Sequence, residues 1–196
     1  MISDVKHMGK FHVDFLRVVL DLPHQEIAEH TIKFVDEECP RYTTYHNHEL
    51  NEKWKATLPH RKELEADLIN MGREFTKRTP RKEFPEGEEP FLFYWASVYR
   101  KGDQHGSHIH PNSLIAGTYY PQVGPASESI TYEAPWTHCM MHESLPFESS
   151  LFSYKPNIGD CMLWPSWISH RVSPQKESDI DRVAISFNLD YKKYHG

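Results

Sequence analysis

Hydrophobic and polar positions follow different periods in the two halves of the chain. From Pro23 to about Glu38 apolar side chains recur every three or four residues, and a similar stripe runs from Pro59 to about Phe75. This spacing predicts two amphipathic helices, with Pro23 suited to a first helical turn. The segment from Thr76 to Pro90 is rich in charge, Pro and Gly and has no apolar period, which predicts a loop.

From Phe91 onward the pattern becomes that of strands. Short runs rich in aromatic and β-branched residues are separated by turn-forming residues, which predicts an antiparallel sandwich or barrel. The runs are FLFYWASVY, SLIAGTYY, SITYEA, SLFSYK, CMLWPSW and RVAISFNLDY. The long irregular stretch from Ala134 to Ser150 predicts a lid. We therefore expect one domain over residues 1–196, with a helical support region at 1–90 and a β core at 91–196.

Composition and charge exclude several classes of protein. The chain is 38% hydrophobic and 26% charged, as in an ordered globule, and its net charge of −6 includes no basic stripe for nucleic-acid binding. Asp14 and Arg17 break the N-terminal apolar run, so we expect neither a signal peptide nor a membrane span, and a cytoplasmic location. Cys39, Cys139 and Cys161 form no CxxC motif, which favours reduced, structural cysteines.

Three histidines suggest a metal site. His108 and His110 lie two residues apart in a segment leading into a strand, so strand alternation predicts that both imidazoles share one face. His170 ends a later apolar run and can supply a third ligand. Three nitrogen ligands leave coordination positions open, as in a catalytic site. Because the chain has 14 histidines, the second HxH pair, His46 and His48, is assigned a solvated or loop role.

The stretch from about Phe93 to Asp190 resembles the 2-oxoglutarate and Fe(II)-dependent oxygenases. It is similar to a bacterial and phage branch with an HxHPNS segment, a later PSWxxH segment and a final RxxxSFN strand. The resemblance implies a mainly β (α+β) fold, in which supporting N-terminal helices precede a double-stranded β-helix, a jelly-roll or cupin-like barrel. It also implies Fe(II), 2-oxoglutarate and O2, used to hydroxylate an unidentified peptide, protein or small-molecule substrate with release of succinate and CO2.

The same resemblance implies roles for individual residues. His108 and His170 would bind the metal. Cosubstrate binding would involve Arg182, Ser186, Tyr99 and Tyr120. A planar guanidinium can bind the far carboxylate of 2-oxoglutarate through two hydrogen bonds, and alternation puts Ser186 on the face of Arg182. The alternative for Arg182 is a surface salt bridge with Asp179 or Asp181.

The sequence departs from the wider oxygenase pattern at His110, which stands where a carboxylate ligand normally stands. Either His110 completes a three-histidine triad, or the position is filled by water or by a carboxylate such as Asp103. We favour ligation by His110, because imidazole is a good ligand for iron, zinc and copper alike. A neutral ligand raises the charge of the site by one unit, which favours an anionic cosubstrate but weakens the preference for iron over zinc.

Other functions remain open at this point. A three-histidine cupin dioxygenase matches the spacing after Gly102 and Gly159, although Leu114 and Ile115 stand where the cupin glutamate is expected. A zinc hydrolase or hydratase and a non-catalytic metal-binding barrel are further alternatives. Arg182 distinguishes them, because only the 2-oxoglutarate enzyme needs it. Exposed edge strands and helices are compatible with a homodimer.

Overall fold

The fold was obtained as a computed structural model, which describes residues 13–78, 84, 90–125, 127–133 and 151–191. The helices are α1 (His24–Glu38), α2 (His48–Thr57) and α3 (Arg61–Arg78). The strands are β1 (Leu16–Val19), β2 (Phe91–Tyr99), β3 (His105–His108), β4 (Ile115–Gln122), β5 (Ile130–Glu133), β6 (Leu151–Tyr154), β7 (Asp160–Pro165), β8 (Ser169–Val172) and β9 (Arg182–Asp190). The segment 134–150, which we predicted to be a lid, lies outside the described residues, as do Cys139 and most of the predicted loop at 76–90.

The strands form two antiparallel sheets. The five-stranded sheet has the order β1-β7-β4-β9-β2, and the four-stranded sheet has the order β3-β8-β5-β6. This is the double-stranded β-helix that the sequence resemblance implied. β9 pairs with β2 along one edge and with β4 along the other, so it lies inside the larger sheet.

Two hydrophobic cores hold these layers together. The larger core joins α1, α2 and α3 to the five-stranded sheet, with Trp54, Leu68 and Phe187 fully buried in it. The smaller core contains Tyr132 and Trp164 and joins strands of both sheets. The helices thus cover one face of the large sheet, which leaves its other face to build the site with the small sheet.

The two helices predicted from apolar stripes are confirmed as α1 and α3. α2 was not predicted, because among its residues only Asn51, Trp54 and Lys55 are buried and no apolar stripe is visible. It starts where the side chain of Asn47 accepts a hydrogen bond from the backbone N–H of Leu50 (3.1 Å), a standard N-cap.

The N-terminal region also contains a strand that the sequence did not predict. β1 has only four residues, and it pairs with β7 at the edge of the larger sheet. His46 and His48 are both exposed, which agrees with the predicted solvated or loop role, and His48 is the first residue of α2. Cys39 and Cys161 are free, as predicted. No helix in the described ranges combines the length and apolar character needed to cross a bilayer.

Candidate active site

Three imidazoles converge where β3 meets β8. His108 and His170 lie directly opposite each other in this antiparallel pair. Nε2 of His110 lies 3.2 Å from Nε2 of His170, and one ligand atom from each of the three residues lies within 4.8 Å of the others. The convergence agrees with the prediction, but strand alternation was the wrong reason for His110, because β3 ends at His108. The backbone N–H of His110 instead donates to the carbonyl of Ser166 (2.9 Å).

Hydrogen bonds set the tautomer of each ring. Nδ1 of His108 and Nδ1 of His170 lie 2.8 and 3.0 Å from the backbone carbonyl oxygen two residues earlier. Nδ1 of His110 lies 2.6 Å from the side-chain oxygen of Asn188. These oxygens can only accept, so all three Nδ1 atoms carry the proton and donate it. All three Nε2 atoms therefore keep a free lone pair, and the donor set fits a metal ion.

Burial keeps the three rings neutral. Burial, reinforced by the neighbouring imidazoles, lowers the pKa of His170 to about 3 and that of His110 to about 4. Burial also lowers the pKa of His108. The neutral imidazole is the form that binds a metal at physiological pH. In the part of the chain that the structure describes, no carboxylate joins this group, and the alternative ligand Asp103 instead accepts from the backbone N–H of Arg100 (2.8 Å).

A pocket with an empty volume of about 370 Å³ opens beside the triad. It is lined by all seven residues that the sequence singled out, namely His108, His110, His170, Tyr99, Tyr120, Arg182 and Ser186. The structure thus places the predicted metal ligands and the predicted cosubstrate residues around one cavity.

Arg182 is the most informative residue of this pocket. Its side chain is only 2% exposed, and its guanidinium lies 5.5 and 5.0 Å from the ring centres of Tyr99 and Tyr120. One terminal nitrogen donates to the backbone carbonyl of Glu128, whereas Nε has no hydrogen-bond partner. The predicted alternative of a surface salt bridge is wrong, because Arg182 is buried and Asp181 pairs with another arginine. A buried guanidinium without a carboxylate partner among the described residues can form charge-assisted hydrogen bonds to an anion.

Hydroxyl groups surround the same cavity. Arg182, Ala184 and Ser186 all face the pocket, as strand alternation predicted. The hydroxyl of Ser186 lies 3.3 Å from that of Thr118 on β4. Burial raises the pKa of Tyr99, although Arg182 opposes this effect, so the phenol stays protonated and can donate.

Three further residues at the site were missed in the sequence, namely His105 and Trp95, which line the pocket, and Asn188, which contacts His110. His105 stacks on His108 with ring centres 4.1 Å apart, and a register shift in β3 between these two histidines brings both to the pocket. Trp95 stacks on His110 at 5.9 Å. Strand alternation along FLFYWASVY puts Trp95 on the same face as Tyr99, and along RVAISFN it puts Asn188 on the same face as Ser186, so both residues could have been predicted. No sequence pattern indicates the register shift that brings His105 to the pocket.

Fold and site together define a metal-dependent enzyme built on a double-stranded β-helix. The sequence profile of the family described as "Putative 2OG-Fe(II) oxygenase" matches residues 93–188, which include the whole triad and Arg182. No curated protein sequence matches the chain significantly. Residues 93–188 belong to the 2-oxoglutarate and Fe(II)-dependent oxygenase superfamily, whose members use Fe(II), 2-oxoglutarate and O2.

Solved structures with the same fold include two prolyl hydroxylases. A prolyl-4-hydroxylase from Pseudomonas putida has a TM-score of 0.62 and 10% identity, over 90% of this chain and 92% of that one. A prolyl hydroxylase from Trichoplax adhaerens, in complex with a hypoxia inducible factor peptide fragment, has a TM-score of 0.62 and 12% identity, over 91% and 84% of the two chains. The 2-oxoglutarate-dependent carbocyclase SnoK from nogalamycin biosynthesis has a TM-score of 0.60 and 8% identity, over 90% and 79%. At these identities the likeness establishes the fold alone.

Proposed function

We propose that the protein hydroxylates a C–H bond of its substrate, with Fe(II) held by His108, His110 and His170 and the far carboxylate of 2-oxoglutarate bound by Arg182. The observation that carries this proposal is the buried guanidinium of Arg182, which lacks a carboxylate partner in the described chain and lines the same pocket as the triad. A three-histidine cupin or a zinc hydrolase has no use for such a group. Two parallel hydrogen bonds to a carboxylate would satisfy it.

Bound at the triad, Fe(II) supplies the reduction of O2 that is coupled to decarboxylation of 2-oxoglutarate to succinate and CO2, with one oxygen atom entering the substrate. The three neutral histidines bring no negative charge to the metal, so the site attracts a dianionic cosubstrate. Arg182 fixes the far end of this cosubstrate, and the hydroxyl of Ser186 can donate to the same carboxylate. The rings of Tyr99 and Tyr120 flank the guanidinium and keep water away from it.

The substrate class has two candidates, a peptide or protein side chain and a small molecule. The peptide bound to the Trichoplax adhaerens enzyme, which shares the fold, supports the first candidate. The carbocyclase SnoK, which shares it too, supports the second. We propose that the primary substrate approaches the metal from the exposed side of His108, because the other two histidines are more deeply buried.

The test is an anaerobic titration of the Fe(II)-loaded protein with 2-oxoglutarate, followed by visible absorption. A saturable charge-transfer band supports the proposal, because it requires the keto acid to chelate the metal. The Zn(II)-loaded protein is the matched control and gives no band, since Zn(II) has a filled d shell. If Fe(II) remains bound and no band forms, the proposal fails and a three-histidine cupin or a zinc enzyme takes its place.

A further inference from the structure

The three histidines of the triad are held in different ways. Nδ1 of His108 and Nδ1 of His170 donate to backbone carbonyls of their own chain segments. His110 lies beyond the end of β3, and its Nδ1 lies 2.6 Å from the side-chain oxygen of Asn188. Asn188 belongs to β9 in the five-stranded sheet, whereas β3 and β8 belong to the other sheet. His110 is thus hydrogen-bonded to the sheet opposite the one that carries His108 and His170.

This contact selects one form of the imidazole. An amide oxygen accepts a hydrogen bond, so the proton stays on Nδ1 and the lone pair of Nε2 points into the triad. In the other tautomer Nε2 carries a hydrogen and cannot bind a metal. Without Asn188, the Nδ1–H group of His110 would also lose its partner in a largely buried place, which is unfavourable.

The other contacts of His110 do not make this choice. Trp95 stacks on the face of the ring, with the ring centres 5.9 Å apart and the planes 25° from parallel. The backbone N–H of His110 donates to Ser166 (2.9 Å). These two contacts fix where the ring lies, but neither decides which nitrogen carries the proton.

We propose that Asn188 is a positioning residue that makes His110 a metal ligand, in the place where related enzymes have a carboxylate. The inference rests on the metal site proposed above. Strand alternation puts Asn188 on the same face of β9 as Arg182 and Ser186. An amide orients the ring without adding a negative charge, which preserves the attraction of the site for an anionic cosubstrate.

The experiment measures Fe(II) affinity anaerobically, by competition with a chromophoric chelator, on the full chain and without 2-oxoglutarate. Asn188→Leu removes the acceptor, and we expect metal binding to weaken about 10- to 100-fold, the usual effect of losing such a partner. Asn188→Asp keeps an acceptor, so its affinity should stay within about threefold of wild type. Circular dichroism of the metal-free variants checks that they fold.

A double-mutant cycle with His110→Ala separates positioning from general support. If Asn188 acts through His110, Asn188→Leu has no further effect on Fe(II) affinity once His110 is alanine. Additive losses would overturn the inference, and so would an Asn188→Asp variant that binds Fe(II) as weakly as Asn188→Leu. If His110→Ala alone binds Fe(II) as tightly as wild type, the proposed metal site itself fails and this inference fails with it.

Discussion

Replacing Arg182 by methionine should separate cosubstrate binding from folding. The guanidinium is 2% exposed, has no carboxylate partner in the described chain and lines the pocket beside the triad. Arg182→Met keeps a side chain of similar length and removes the charge. It should therefore weaken 2-oxoglutarate binding and leave metal binding intact, since the interactions of Arg182 in the described chain are with Glu128, Tyr99 and Tyr120.

The size of each effect follows from the contacts. Two hydrogen bonds from a guanidinium to a carboxylate, at about 1.5 kcal/mol each, amount to about 3 kcal/mol. This corresponds to a loss of affinity of roughly 100-fold. For folding, the variant loses the hydrogen bond to the carbonyl of Glu128 but no longer buries a charge without a counter-ion. Burying a charge without a counter-ion costs several kcal/mol in the wild type, and the variant is relieved of this cost. The free energy of unfolding of Arg182→Met should therefore not fall by more than about 1 kcal/mol.

The assay has three readouts on purified protein: 2-oxoglutarate affinity from the charge-transfer band, Fe(II) affinity by chelator competition, and urea denaturation of the metal-free form. Arg100→Met is the matched control, because the side chain of Arg100 is 42% exposed and pairs with Asp36 on the surface. It should leave the affinity for 2-oxoglutarate unchanged. The reasoning is refuted if Arg182→Met binds 2-oxoglutarate as tightly as wild type, or if its loss of binding is matched by an equal loss of stability.

Three other perturbations test the site and its support. His170→Ala should abolish metal retention after desalting, measured by elemental analysis, and one retained equivalent of Fe(II) would contradict the assignment. Glu133 accepts hydrogen bonds from the hydroxyls of Ser107 and Ser169 (2.9 and 2.8 Å), which directly precede the ligands His108 and His170. Glu133→Ala should therefore weaken Fe(II) binding about fivefold. An unchanged Fe(II) affinity in the chelator assay would show that Glu133 does not support the metal site. Burial acts to raise the pKa of Asp160. Hydrogen bonds that Asp160 accepts from Tyr154, Asn157 and Arg17 outweigh the effect of burial and lower the pKa below its ordinary value. The stabilising effect of the Asp160 carboxylate is therefore present above about pH 4 and is lost as the pH falls through the folded pKa. In urea denaturation, Asp160→Asn should lower the free energy of unfolding by about 2 kcal/mol at pH 7 and by less at pH 3. An equal loss at both pH values would contradict this prediction.

Long periodic segments were predictable from the sequence, because a stripe of apolar residues reflects burial on one face. The stripe of α3 and the continuous apolar run of β2 are of this kind, and the strand runs FLFYWASVY and RVAISFNLDY correspond to β2 and β9. β1, β3 and β8 have four residues each, and polar or charged residues interrupt them, so they form no run of aromatic and β-branched residues. α2 depends on a cap and one buried tryptophan, and neither leaves a repeating pattern.

The candidate site was predictable in its residues but not in its geometry. Histidine spacing and the resemblance identified the triad and Arg182, and strand alternation placed Ser186 correctly on the pocket face. The end of β3 at His108 and the register shift behind it depend on pairing with β8, which is a non-local contact. The role of Asn188 likewise depends on two sheets that meet only in the folded chain.

In the proposed site, one strand sets the geometry for both ends of the cosubstrate. β9 carries Asn188 beside the metal ligand His110, and it carries Arg182 at the other side of the pocket. Its neighbours β2 and β4 hydrogen-bond to it along both edges, so neither residue depends on a mobile loop for its position. The distance that a cosubstrate must span between the metal and Arg182 is thus fixed by a rigid strand. In related enzymes a carboxylate ligand supplies negative charge to the metal. Here the cosubstrate itself would supply it, so the three neutral histidines should hold the metal more tightly when the anionic cosubstrate is bound.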